Sequence, residues 1–301
     1  MKGLADVSLL LVALIWGVTF VIVQNAIEFL PPLLFNGVRF FLAFLILLTV
    51  LLFRKELREL NRTTWRNGLI LGLCLAVGYA FQTIGLSYTT VSKTGFITGL
   101  SVVLVPILSL FILKKRPTPI AIIGSFIAAT GLYLLTAGGE GGWNVGDFFV
   151  LIGAFGFAFH IIFTDAFTHQ SSAVALTSVQ ILTVSILCSL GGFFMEDWQT
   201  TLTAANLLQT SVWSALLITA FAATALAFFI QTSAQKFTTP TRVALLLAME
   251  PVFAAIAAFF WLDERLAAAG LTGCLLIFFG MILAEIPVHK FWPGHAMQKE
   301  K

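Results

Sequence analysis

Long apolar runs separated by short polar clusters dominate the chain. Ten such runs, of roughly 18–22 residues, lie near 7–24, 33–53, 67–86, 94–113, 119–137, 147–164, 173–194, 209–231, 241–261 and 267–285. An α-helix rises 1.5 Å per residue, so about 20 residues cross a hydrocarbon core of about 30 Å. Each run is therefore expected to be a membrane-spanning helix, and about a hundred residues remain for loops and tails. That leaves no room for a separate soluble domain. Lys2 before the apolar stretch from Leu9 to Val23 resembles a secretory leader, but no small-x-small cleavage site follows, so the run reads as an uncleaved first helix.

Composition agrees with the pattern. Hydrophobic residues make up 59% of the chain and charged residues 10%, whereas soluble domains carry about a quarter charged residues. The expected class is an all-α membrane protein embedded in the lipid bilayer. With the N-terminus in the cytoplasm, fourteen of the seventeen basic residues fall on the cytoplasmic side, against Lys93 and Arg265 outside and Arg39 within a span. The positive-inside rule thus places both termini in the cytoplasm of a multi-pass plasma- or bacterial inner-membrane protein. These membrane-flanking charges account for the net charge of +3 without a nucleic-acid partner. Cys74, Cys188 and Cys274 sit singly in apolar runs, which is neither a disulfide framework nor a metal motif. No cofactor is expected.

The segment "FQTIGLSYTTVSK" (81–93) recurs as "IQTSAQKFTTPTR" (230–242), 149 positions on. At the same offset Lys115-Arg116 meets Glu264-Arg265, Gly124 meets Gly273 and Gly131 meets Gly280; upstream the offset is 141, pairing Asp6 with Asp147, Trp16 with Phe157 and Arg39 with Gln180. The expected organisation is a first five-helix repeat (1–137), a Gly-rich linker (138–146), a second repeat (147–285) and a cytoplasmic tail (286–301). Five is odd, so the second repeat enters the membrane from the opposite side and is inverted. Inverted repeats build carriers in which two halves expose one central site alternately to each face. Gln82 and Gln231, with Lys93 and Arg242, are then symmetry mates near opposite faces and candidate gating residues. Pro106 and Pro251 lie thirteen and nine residues after Lys93 and Arg242, so the proline kinks of the fourth and ninth helices are expected to be displaced from symmetry.

Further polar and aromatic residues mark candidate substrate contacts. Trp16 and Phe157 lie at mid-depth, where an aromatic either fills the core or lines a cavity, and a buried indole N–H needs a partner. Polar groups within spans usually face the bundle interior or a pathway. Arg39 either pairs with Glu28 or attracts a carboxylate. His160 is a structural hydrogen-bonding residue or a proton carrier. Glu250, preceding Pro251, holds a substrate amine, exchanges a proton or bonds the backbone at the kink, with His160 the nearest partner by depth. Tyr79, Gln82, Thr98 and Ser101 complete the set on the third and fourth helices. The paired glycines of the fifth and tenth helices are expected to pack halves or monomers together.

The chain resembles the EamA-type members of the drug/metabolite transporter superfamily. The likeness rests on "LIWGVTFV" (14–21), "VRF" (38–40), "TGFITGLSVVLVP" (94–106) and "TPTRVALLLAMEPVFAAIAAFFWLDE" (239–264), and covers nearly the whole length. It implies a ten-helix bundle whose central cavity is lined by helices one, three, four, six, eight and nine, exporting amino acids and other small metabolites. The expected function is secondary transport of such small molecules, by a monomer, without enzymatic activity. The alternatives are efflux of drug-like or cationic compounds, a passive channel, or an intramembrane enzyme. No Walker loop, HExxH or DDxxD motif is present, and the polar residues are too thinly spread for a continuous pore.

Overall fold

The structure, a computed structural model, describes residues 2–89, 91–114, 117–136, 144–203, 206, 209–262 and 268–285. Its helices are α1 (Lys2–Ile27), α2 (Pro32–Phe53), α3 (Arg62–Leu86), α4 (Val91–Gly99), α5 (Ser101–Ile112), α6 (Pro119–Thr136), α7 (Val145–Phe167), α8 (Ala173–Met195), the single turn α9 (Trp198–Thr201), α10 (Thr210–Ile218), α11 (Ala227–Ala234), α12 (Pro240–Leu247), α13 (Glu250–Leu262) and α14 (Ala268–Glu285). Among the described residues eight helical stretches are long and apolar enough to cross a membrane, and the apolar segments Pro119–Leu134 and Ala268–Leu283 are shorter. The ten sequence-predicted runs fall on these ten stretches. Most of the linker (138–143), Lys115-Arg116, Glu264-Arg265 and the tail (286–301) lie outside the described residues.

Local chemistry sets the helix starts. The Asn61 side chain accepts from Thr64 N at 3.0 Å to begin α3, and Thr239 with Pro240 opens α12. Asn144 and Asp147 form a reciprocal capping box, so α7 begins at Val145, inside the segment expected to be linker. The start of α2 has Pro31 as its N-cap with no side-chain cap bond of its own. The Glu196 carboxylate supplies it from the far end of α8, accepting from Leu33 N at 2.7 Å and Leu34 N at 2.9 Å.

Three interruptions shape the interior. Between α10 and α11 the helix widens into a π-helical stretch, Thr219–Leu226. The helix pair α4/α5 breaks at Leu100, and α12/α13 breaks at Ala248–Met249. Under the offset of 149 these breaks coincide, although the prolines do not. Pro251 has no N–H, so the Leu247 carbonyl loses its helical donor at the second break. The first break precedes Pro106; there the Leu100 N–H is shared between Phe96 O (3.1 Å) and Ile97 O (3.2 Å) just after Gly99. The interruptions thus keep the repeat's register while their chemical causes differ, contrary to the displacement expected from the prolines.

The helices pack as α6 on α14, α3 on α7, α2 on α8, and α1 on α13. Glycine makes the first of these close: a Cβ on Gly131 would stand 2.6 Å from Gly273 O, and one on Gly280 2.5 Å from Gly124 O. The glycine face therefore joins the two parts of one chain. The largest apolar cluster gathers Leu9, Val12 and Ala13 of α1, Val102 and Val105 of α5, Ile162 of α7 and Val243 to Met249 across the α12/α13 break.

Candidate functional site

A cavity opens at the centre of this bundle, lined by α1, α2, α3, the α4/α5 break, α7, α11 and the α12/α13 break. It holds about 90 Å³. The lining helices are those implied by the family resemblance, with α2 added through Arg39. On α1 the lining runs from Trp16 to Val23, while Leu9, Val12 and Ala13 are fully buried in the apolar cluster. The cavity is thus plugged toward the N-terminal end of α1 and extends toward the end where Val23 and Leu86 lie.

Trp16, Tyr79, Gln82, Thr98 and Ser101 all line the cavity, as do Phe157, His160, Gln231 and Glu250. Their partners distinguish them. Trp16 Nε1 donates to the Ala223 carbonyl in the π-helical stretch at 2.7 Å, so its N–H is already satisfied and its ring forms the wall, 5.2 Å from Phe228. Phe157 stands edge-on to Tyr79 at 5.1 Å, seated where Gly78 leaves room. Gln82 Nε2 donates to Thr98 Oγ1 at 2.9 Å. His160 Nε2 faces Gln180 Oε1 at 2.8 Å, and among the described residues no hydrogen bond joins it to Glu250. The hydroxyls of Thr19 and Thr83 are bonded to helix carbonyls.

The remaining polar groups are less matched. Arg39, 4% exposed, has Nε donating to Thr224 Oγ1 at 2.8 Å, and its guanidinium carbon lies 5.1 Å from the Tyr79 ring centroid and 5.3 Å from that of Phe40. Among the described residues no carboxylate, Glu28 included, lies within ion-pair distance of it. The Glu250 carboxyl group makes no hydrogen bond or ion pair among the described residues. Its backbone is fixed by α1, since a Cβ on Gly17 would stand 2.5 Å from Glu250 O. Gln231, 1% exposed, leaves Oε1 without a partner.

Lys93 and Arg242 lie outside the cavity, each in an ion pair. Lys93 Nζ is 3.5 Å from Asp147 Oδ2, and Asp147 also accepts from Thr89 Oγ1 at 2.5 Å. Arg242 binds Asp6 with two bonds, at 2.9 and 2.6 Å. The sequence reading made Asp6 and Asp147 mates at one offset and Lys93 and Arg242 at another, but it did not pair either acid with either base. Arg39 was noticed as an intramembrane charge, but its place in the cavity wall had no signal in the spacing.

A polytopic helical bundle with interrupted helices around a buried, partly polar cavity is an arrangement that membrane transporters use. The chain belongs to the EamA-like transporter family, whose sequence pattern matches residues 3–137 and again 144–285, and with it to the drug/metabolite transporter superfamily. It is 34% identical over 284 residues to an uncharacterized transporter of Archaeoglobus fulgidus, covering 94% of this chain and 86% of the relative. It is 25% identical over 267 residues to the uncharacterized transporter YvbV of Bacillus subtilis, covering 88% and 86%. Over 161 residues it is 31% identical to the uncharacterized inner membrane transporter YedA of Escherichia coli, covering 52% and 51%. A solved crystal structure shares the fold with a TM-score of 0.81 at 17% identity, covering 97% of this chain and 99% of that one. The protein is therefore a multi-pass membrane protein of a transporter family.

Proposed function

We propose that the protein is a monomeric secondary transporter exporting amino acids or related small metabolites by alternating access between two inverted five-helix repeats. The observation that carries this reading is the central cavity, plugged at one end, with helix breaks at repeat-related positions in its wall. A matched arrangement at the two ends supports the inversion. Asp6 of the first half meets Arg242 of the second at the plugged end, and Asp147 of the second half meets Lys93 of the first at the other. With both termini cytoplasmic, the plugged end faces the cytoplasm and the cavity opens outward. Exchanging the two halves' conformations would release Asp6 from Arg242 and tighten the Lys93–Asp147 contact, already present at 3.5 Å. Gln82 and Gln231 would then lie along the two alternating access routes.

The volume favours small cargo. About 90 Å³ is several times the roughly 10–15 Å³ that one water needs on the same measure. A second reading, efflux of cationic compounds, is favoured by the aromatic wall of Trp16, Tyr79, Phe157 and Phe228 beside Glu250. Counterflow in proteoliposomes tests both. Vesicles loaded with unlabelled amino acid should accelerate uptake of the labelled one, and those loaded with a quaternary amine should not. Acceleration by the amine alone selects the cationic reading, and acceleration by neither, with the protein folded and inserted, removes both.

A further inference from the structure

The cavity contains a buried guanidinium without a carboxylate partner and a carboxyl group without a basic partner among the described residues. Arg39 Nε is engaged by Thr224 and its guanidinium stands beside Tyr79, but among the described residues no carboxylate meets its Nη amino groups. Glu250 and the Gln231 Oε1 atom are unused acceptors. Several other polar groups of the wall are already bonded: Gln82 to Thr98, His160 to Gln180, and Thr19 and Thr83 to carbonyls. A charge held in an apolar bundle without an opposite charge is costly, and a ligand that supplies the missing charge gains that interaction on binding. Helix α2 otherwise turns away from the cavity, so Arg39 is its sole contribution to the lining.

We infer that the cavity reads both ends of an α-amino acid: Arg39 takes the carboxylate, and Glu250 with Gln231 Oε1 takes the ammonium. This rests on the transporter reading above and adds the side chains that hold the two charged ends of the cargo. A guanidinium offers paired donors that match the two oxygens of a carboxylate. An ammonium brings three N–H donors, matching a carboxylate and an amide oxygen. Much of the rest of the wall is apolar, with the Trp16, Phe157 and Phe228 rings and the side chains of Leu75 and Leu247. The preferred cargo is therefore a zwitterion with an aliphatic side chain, and Arg39 sets the preference for a free carboxylate.

The test uses the purified full-length protein and four probes of similar size: leucine, leucinamide without the carboxylate charge, 4-methylpentanoate without the amine, and isoamylamine without the carboxylate. Leucine should raise the apparent Tm at a concentration roughly tenfold below the other three, the effect of one charge-assisted contact. In Arg39→Gln the preference for leucine over leucinamide should collapse, and in Glu250→Gln the preference over 4-methylpentanoate. Arg39→Lys, which keeps the cation but not the paired donors, should fall between. Retention of the leucine preference in folded Arg39→Gln overturns the inference, as does equal binding of leucine and leucinamide by the wild type, which needs no variant. If isoamylamine binds and exchanges in counterflow while leucine does neither, the protein is a transporter and this cargo assignment is wrong. If no probe binds or exchanges, both readings fall.

Discussion

Arg242 grips Asp6 through two parallel bonds, Nε to Oδ1 at 2.9 Å and Nη2 to Oδ2 at 2.6 Å, tying the first turn of α12 to the start of α1. The counterpart at the other end, Lys93 to Asp147, is a single contact at 3.5 Å. The tighter pair lies at the plugged end of the cavity. A bidentate guanidinium–carboxylate pair holds orientation as well as charge, but the Arg242 side chain is 30% exposed, so solvent screens part of the gain.

The first prediction concerns that pair. Arg242→Gln should weaken the closed end by about 1 kcal/mol, roughly a fivefold shift in population. In a background lacking the three native cysteines, a cysteine at Ala13, fully buried in the plug, should then react faster with a membrane-impermeant thiol reagent from the Asp6 side. The exchange Asp6→Arg with Arg242→Asp should slow the labelling again. An unchanged labelling rate in folded Arg242→Gln would mean that the pair holds nothing shut.

Much of the fold was legible because the bilayer imposes a length. The ten apolar runs were readable from that requirement alone, whereas the matched helix breaks, which keep the register of "TTVSK" and "TTPTR", were not anticipated. Proline positions were a poorer guide: the break at Leu100 precedes Pro106 and coincides with Gly99 instead. Site residues read from polarity, such as Gln82, His160 and Glu250, line the cavity because an intramembrane polar group has few other places to go. Partners were harder to read. The Trp16 N–H meets a carbonyl of a π-helical stretch that no residue pattern announced. His160 meets Gln180 across two helices that the sequence does not orient.

Trp16 tests whether the indole N–H serves the fold or the ligand. Trp16→Phe keeps an aromatic wall against Phe228 but strands the Ala223 carbonyl. Stability should drop by about 1–2 kcal/mol in thermal or denaturant unfolding, with ligand affinity changed by less than about threefold. A tenfold loss of affinity at unchanged stability would make the N–H a ligand contact.

Glu196 gives stability a pH dependence of known sign. Burial pushes its carboxyl above the usual range, and the Leu33 and Leu34 N–H donors counter this only in part. The native state therefore holds this proton more tightly than the unfolded chain. The stability linked to it is fully present below the unfolded pKa of about 4.3 and is lost as pH rises through the native value. Glu196→Gln cannot titrate, so the apparent Tm of the wild type relative to the variant should decline as pH is raised from about 4 to about 7. A difference that stays flat or grows would show that the two N–H donors outweigh burial.

Glycine-to-alanine changes should act with opposite signs at two places. On α6 and α14, a methyl at Gly131 or Gly280 would stand 2.6 or 2.5 Å from a facing backbone carbonyl oxygen, which cannot move unless the helices separate. Either substitution should cost about 1–3 kcal/mol, read as a fall of several degrees in the apparent Tm. Gly95 lines the cavity and has only Pro251 Cβ nearby, at 3.9 Å. Alanine there meets no obstruction and favours the helix by up to about 1 kcal/mol, so the Tm should hold or rise. The added methyl takes space that a ligand would use, and affinity for the transported molecule should fall severalfold. Equal destabilisation at Gly95 and Gly131 would mean that Gly95 faces packed protein and not the cavity.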